Sequence, residues 1–299
     1  MALSGMKDVS VDLVVTNEPK PVGRKQELVA SSVAMKAREL GIEVLEINKM
    51  SGEGVYEKIK SIGADYFVVL SFGHIFRKDI LALPKKGFLN LHGSLLPKYR
   101  GASPIQAVLV NDEKVTGVCF MDIVEAMDAG GVYSCKEIKI AENELYESLY
   151  ERMGAAAADL TKEDFPKIVT GQLKAVQQNE QDVTFCKMVK KEDGMIDFIN
   201  LTAKDIYNKW RAYHVWPKIY VFIDGKKIIL EKVMICPKPE IIDVKLVAGQ
   251  MIDDGERLFV KCKDGVLEIK ELKLEGKKSM KVGAFLLGNA ELIRNKMQD

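Results

Sequence analysis

A doubly wound parallel α/β sheet, followed by a smaller β-rich domain, is the architecture that this 299-residue sequence predicts. Two patterns point to it. As far as Leu160, short apolar runs of strand length alternate with amphipathic stretches of helix length, which is how parallel strands joined by crossover helices read. Beyond residue 181 the chain changes to short β-prone runs broken by Asp-Gly pairs, the mark of antiparallel strands joined by tight turns.

In order, residues 11–15, 44–47, 66–71 and 88–91 are apolar runs that read as strands, and residues 31–40 and 54–62 carry helix-like apolar spacing between them. Pro104 suits the first turn of a further helix, where the donor that proline lacks would go unused anyway. Residues 115–121 and 132–140 read as later strands and 145–160 as a long helix. The stretch that follows is polar, with Gln172, Gln177, Gln178 and Gln181 and few apolar anchors. It reads as a linker over 172–181, between a first domain over 1–171 and a second over 182–299. In the second, runs at 218–223, 227–233, 257–262 and 266–274, broken at Asp224-Gly225 and Asp264-Gly265, suggest a small β-barrel.

Hydrophobic residues at 47% and charged residues at 29% describe an ordinary soluble protein with a sizeable core. The net charge of +1 divides into +4 over residues 182–299 and −3 over residues 1–181. The basic excess lies in the second half, although scatter of solvated charge would produce as much. Cys119, Cys135, Cys186, Cys236 and Cys262 are odd in number, far apart and in no C-x-x-C pair, so neither a disulfide framework nor a zinc site is expected. A reducing compartment is. No secretory leader opens the sequence and no run of about 18 apolar residues occurs, which makes the cytoplasm the expected location and a membrane partner unexpected.

The chemistry concentrates in Asn90-Leu91-His92-Gly93-Ser94-Leu95-Leu96-Pro97-Lys98-Tyr99-Arg100-Gly101, followed by Asp128 in Met127-Asp128-Ala129-Gly130-Gly131. Strand residues two apart share a face, so Asn90 and His92 project together at the carboxyl edge of their strand, where open α/β sheets bind ligands. An acyl transfer needs a donor for the developing oxyanion, a group that handles a proton, and an anion that orients that group. Asn90, His92 and Asp128 offer these in turn. An isolated Asn-x-His can equally be a hydrogen-bonded pair at a strand end. The loop that follows, apolar at Leu95-Leu96-Pro97 and basic at Lys98 and Arg100, is an unusual mere connection and favours the functional reading. No G-x-G-x-x-G follows a strand, which disfavours a dehydrogenase.

At these residues the chain resembles the formyltransferases that use 10-formyltetrahydrofolate as formyl donor, whose loop has the form N-x-H-x-S-L-L-P, then a basic residue, an aromatic one, Arg and Gly. Gly93 and Pro104-Ile105-Gln106 are similar to the branch that formylates methionyl-tRNA. The family's D-T-G stands here as Asp128-Ala129-Gly130, a departure at a residue that does not handle the proton. The resemblance implies a Rossmann-like catalytic domain over 1–171 and an OB-like, tRNA-binding β-barrel over 182–299. Segments 187–197 and 275–280 are similar to the family's C-terminal domain, so the resemblance covers both. It implies catalytic roles for Asn90, His92 and Asp128, and a folate pocket with Phe72, Gly73, His74, Ile75, Phe76, Ser94, Leu95, Leu96 and Pro97. It further implies tRNA contacts at Arg24, Lys25, Lys277 and Lys278. No metal is implied, and the expected partners of a monomer are the folate and initiator methionyl-tRNA.

Other matches are partial. Lys20-Pro21-Val22-Gly23-Arg24 resembles the family's P-x-x-P-x-G-R-G loop, but Glu18 stands at its first Pro, Lys25 at its last Gly, and Gln26-Glu27 where two Lys are usual. His74 departs from the family's usual residue and reads first as a surface imidazole. His214 lies in a Trp210-to-Pro217 segment whose aromatics read as domain core. The chain opens at residues similar to the end of the family's first helix, without the M-G-T-P-x-F strand, so an incomplete sheet is expected. The alternatives are an amino-sugar formyltransferase, which shares the Asn, His and Asp chemistry, and a truncated, non-catalytic folate- or tRNA-binding protein.

Overall fold

The computed structural model describes residues 1–23, 25–236 and 246–294. It resolves into two compact units. The first comprises Met1–Ala102, Thr116–Ile138 and Arg152–Phe185, and the second Ser103–Val115, Lys139–Glu151 and the described residues from Cys186 onward.

The first unit begins with β1 (Val14–Asn17), α1 (Ser32–Glu39), β2 (Val44–Ile47), α2 (Val55–Ile62), β3 (Tyr66–Val69) and β4 (Gly87–His92). Helix α1 starts where the Ser31 hydroxyl accepts the Ala34 N–H at 3.0 Å, and the same hydroxyl lies 2.9 Å from that of buried Thr16, which ties the helix start to β1. Helix α2 is bounded by Gly54 and Gly63, both left-handed, and buries Val55 and Ile59 one turn apart. These side chains join Ile47, Met50, Ile80 and Phe88 in an apolar cluster that also receives Val15, Leu45, Phe67 and Val69.

β1 and β2 pair in parallel, as do β3 and β4, in agreement with the crossover pattern of the sequence. Two further features are findings of the structure. The ladder turns antiparallel where β4 meets β5 (Val115–Asp122), with Leu89 opposite Asp122 and His92 opposite Cys119, and β6 (Val132–Lys139) continues the order β3-β4-β5-β6. An apolar run carries no direction, so the reversal is invisible in sequence. Among the described residues no ladder joins β1-β2 to β3-β4, although both pack on the same cluster.

The expectation of no disulfide is corrected, since Cys119 of β5 is bonded to Cys135 of β6. Strand pairing brings together residues whose spacing matches no sequence motif. Residues 172–181 belong to the first unit, with Val176 bridging Val132 through hydrogen bonds of 2.8 and 2.9 Å.

In the second unit, α3 (Pro104–Val110) packs on α5 (Ala203–Ala212), while the long helix α4 (Tyr146–Val169) follows β6 and lies from Arg152 onward in the first unit. Helix α5 opens with a reciprocal Thr202–Asp205 capping box. Trp210 and Arg211 on it are buried, with the indole N–H donating to the Glu231 carbonyl and the guanidinium 3.0 Å from Asp112; the expected core role holds for Trp210 and Tyr213, whereas Trp216 is 53% exposed. Strands β7 (Ile219–Ile223) and β8 (Lys226–Ile235) form a hairpin through Asp224 and Gly225 at φ 47° and 71°, the primed turn that the Asp-Gly pair predicts. With β9 (Met251–Asp253), β10 (Leu258–Lys261) and β11 (Val266–Leu274) the sheet runs β7-β8-β11-β10-β9, with β12 (Met280–Lys281) on β11 before helix α6 (Val282–Arg294). The end strands do not pair with each other among the described residues, so the barrel expected here is an open sheet.

Candidate active site

Strand β4 is held on both edges, with Asn90 opposite Val69 of β3 and Met121 of β5. This fixes where the strand end points. Asn90 is half-buried, and its carboxamide has no hydrogen-bond partner among the described residues. An amide so placed is available to a ligand.

His92, two residues on, is buried, and its Nε2 lies 2.9 Å from the Tyr99 carbonyl. A carbonyl only accepts, so Nε2 carries a proton, and in the neutral tautomer this leaves Nδ1 as the unprotonated nitrogen. That Nδ1 is 3.7 Å from Oδ2 of Asp128, which accepts the Gly101 N–H at 2.8 Å. Tyr99 and Asp128 stand at φ 59° and 49°, left-handed conformations that cost a non-glycine residue on the order of 1 kcal/mol and concentrate at functional sites. Gly130 has no room for a side chain, because a Cβ there would collide with the Asp122 carbonyl. The Asp122 N–H donates to Gly131 at 2.9 Å, so the Asp128 loop is clamped against the end of β5.

The loop after His92 folds on itself. The wholly buried Ser94 hydroxyl donates to the Lys98 carbonyl at 2.6 Å, Leu96 N–H reaches the Cys119 Sγ at 3.4 Å, and Leu95 occupies the space left by Gly117. Leu95, Leu96 and Pro97 are half-buried along it. In the segment after β3, Phe72 stacks on Phe76 at 5.9 Å and Phe76 meets Phe88 edge-on at 4.6 Å. His74 contacts Phe72 and lies 2.8 Å from the Asn17 carboxamide oxygen. Gly73 is exposed and Ile75 is 91% exposed.

Sequence reasoning gave no site role to four neighbours, Arg100, Gln178, Glu180 and Asp122. Arg100, 3% exposed, donates through Nε to Gln178 at 3.0 Å and through both terminal nitrogens to Glu180 at 2.8 and 3.3 Å. Gln178 and Glu180 gave no signal, lying in a polar stretch that reads as a linker. Asp122 accepts the Tyr133 hydroxyl at 2.8 Å, and burial raises its carboxyl above the ordinary range. A lone acid ending an apolar strand was its only trace. Lys25, Lys277 and Lys278 are exposed, and Arg24 lies outside the described residues. Among the described residues no group of three or more His, Cys, Asp or Glu could hold a metal, and no helix is long and apolar enough to cross a membrane.

Comparison with known proteins gives this geometry its class. Residues 2–163 match the family described as formyl transferase, and 188–290 match the formyl transferase C-terminal domain. The structure is similar to that of WlaRD, a sugar 3N-formyl transferase crystallised in the presence of dTDP and 5-N-formyl-THF, with TM-score 0.61 and 15% identity, covering 90% of this chain and 99% of that one. It is also similar to HypX from Aquifex aeolicus in complex with tetrahydrofolic acid, with TM-score 0.58 and 18% identity over 86% of this chain; only 44% of HypX is covered. These likenesses are ones of fold, and with the family match they define a formyl transferase. The methionyl-tRNA formyltransferase of Thermodesulfovibrio yellowstonii is 36% identical over 276 residues, 92% of this chain and 87% of that protein. The chain therefore belongs to the methionyl-tRNA formyltransferase family, and it is an enzyme of formyl transfer.

Proposed function

We propose that this chain transfers a formyl group from 10-formyltetrahydrofolate to the α-amino group of initiator methionyl-tRNA. The observation that carries the reading is the Asn90 amide, without a hydrogen-bond partner among the described residues, on the same strand as a histidine whose Nε2 proton is held by a carbonyl and whose Nδ1 faces a carboxylate. The folate supplies the formyl carbon. Asn90 donates to the formyl oxygen as it gains charge, an interaction strongest in the transition state. The α-amine attacks the formyl carbon, Asp128 and Nδ1 of His92 take up the proton the amine sheds, and the bond from that carbon to N10 of the folate breaks as the proton passes to N10, which releases tetrahydrofolate.

The residues beside β4 fit a folate. Phe72 and Phe76 offer stacked, half-buried rings and Gly73 and Ile75 exposed main chain, while Leu95, Leu96 and Pro97 add apolar surface. His74 would border the rings, and Ser94 would act by holding the loop closed. Arg24, Lys25, Lys277 and Lys278 are assigned to tRNA phosphates, and the exposure of Lys25, Lys277 and Lys278 supports the reading for those three. A monomer working in the cytoplasm completes the reading, and gel filtration checks the former.

The test is a formylation assay on the purified chain, offering methionylated initiator tRNA and a dTDP-amino sugar as alternative acceptors. Formyl-methionyl-tRNA is the expected product. Formylated sugar with unmodified tRNA would overturn the reading.

A further inference from the structure

We infer that Gln178, a residue of the polar stretch after α4, is a positioning residue that holds Asp128 in place for proton transfer, with Arg100 as its anchor. The inference rests on the reading of Asp128 given above. Gln178 Nε2 donates to the carbonyls of both Asp128 and Gly130, at 2.8 and 2.7 Å, and Gln178 Oε1 accepts from Arg100 Nε at 3.0 Å. Two carbonyls on one end and a guanidinium on the other fix which way the amide faces. The left-handed Asp128 turns its carbonyl away from regular pairing, and Gln178 satisfies it together with that of buried Gly130.

The anchor also reaches the catalytic pair. Within three consecutive residues, the Tyr99 carbonyl holds His92, the Arg100 side chain holds Gln178, and the Gly101 N–H holds the Asp128 carboxylate. Arg100 is itself fixed by Glu180 and by a main-chain bond to Thr184 at 2.9 Å. Gln178 thus closes a ring of contacts around Asp128 whose other side is the loop that sets the His92 tautomer. A shift of about 1 Å in such a group can cost a hundredfold in rate.

The test uses Gln178→Glu, which keeps the size and offers Arg100 a carboxylate, yet cannot donate to the two carbonyls. Gln178→Ala accompanies it. Both should lower kcat by roughly tenfold to a hundredfold. The KM values for folate and tRNA should stay within about twofold. Gln178→Glu leaves the buried Gly130 carbonyl without its donor and lowers the melting temperature, so the rates are compared at a temperature where every variant is fully folded. In an Asp128→Asn background, whose residual rate is read by single turnover, either substitution should add little, because groups acting through one another are not additive. An undiminished kcat in Gln178→Glu, or an equal loss with and without Asp128, would overturn the inference alone. An Asp128→Asn enzyme as fast as the unaltered one would remove the reading of Asp128 and the inference with it.

Discussion

Replacing Asn90 by Ala tests the oxyanion role most directly, because the structure predicts where the cost falls. Strand β4 is paired on both edges at this residue, so the main chain cannot shift to offer a substitute donor. The carboxamide has no hydrogen-bond partner among the described residues, so its removal strands no buried group, and the melting temperature should hardly move. What is lost is one preorganised donor to a charge that exists only in the transition state. Such a donor contributes about 2.7–4 kcal/mol, and kcat should fall roughly a hundredfold to a thousandfold. Single-turnover formylation of methionyl-tRNA at saturating folate reads the chemical step, and steady-state KM values for both substrates should be nearly unchanged. A rise in KM with kcat intact would refute the reasoning, and so would a fall in melting temperature large enough to explain the lost rate.

His92→Ala and Asp128→Ala should each be severe, and the double variant little slower than the slower single; multiplicative losses would show that the two act independently. Burial raises the Asp122 carboxyl, so the folded chain holds this proton to higher pH than the unfolded chain does. Its contribution to stability is complete below the ordinary carboxylate range and is lost as pH rises through the raised value. Asp122→Asn, which still accepts the Tyr133 hydroxyl, should match the unaltered chain at acid pH and become the more stable of the two toward neutrality in urea midpoints; a difference that does not vary with pH would count against it. For the tRNA contacts, Arg24→Ala should weaken tRNA binding and lower the salt slope by up to about one, leaving folate affinity alone, whereas an unchanged slope would make Arg24 a solvated surface charge.

What could be read from the sequence was local or periodic. Alternating strand and helix runs announced the parallel pairs β1-β2 and β3-β4, and Asp224-Gly225 announced its hairpin because few other pairs tolerate two left-handed residues. The period of two along β4 makes Asn90 and His92 share a face, an expectation that needs only that both lie in one strand, as they do. The tertiary structure alone decided the features that depend on register and on the long-range path of the chain. Among them are the antiparallel turn at β5, the Cys119–Cys135 bond across neighbouring strands and the open edge order of the second sheet. The tautomer of His92 belongs here too, since it is set by a carbonyl whose direction follows from a left-handed Tyr99. So does Gln178, which sits 50 residues beyond Asp128 in the sequence and within 2.8 Å of its carbonyl in space. A glutamine in a polar stretch carries no periodic signal, and only the fold, by burying Arg100 beneath it, turns that amide toward the Asp128 loop.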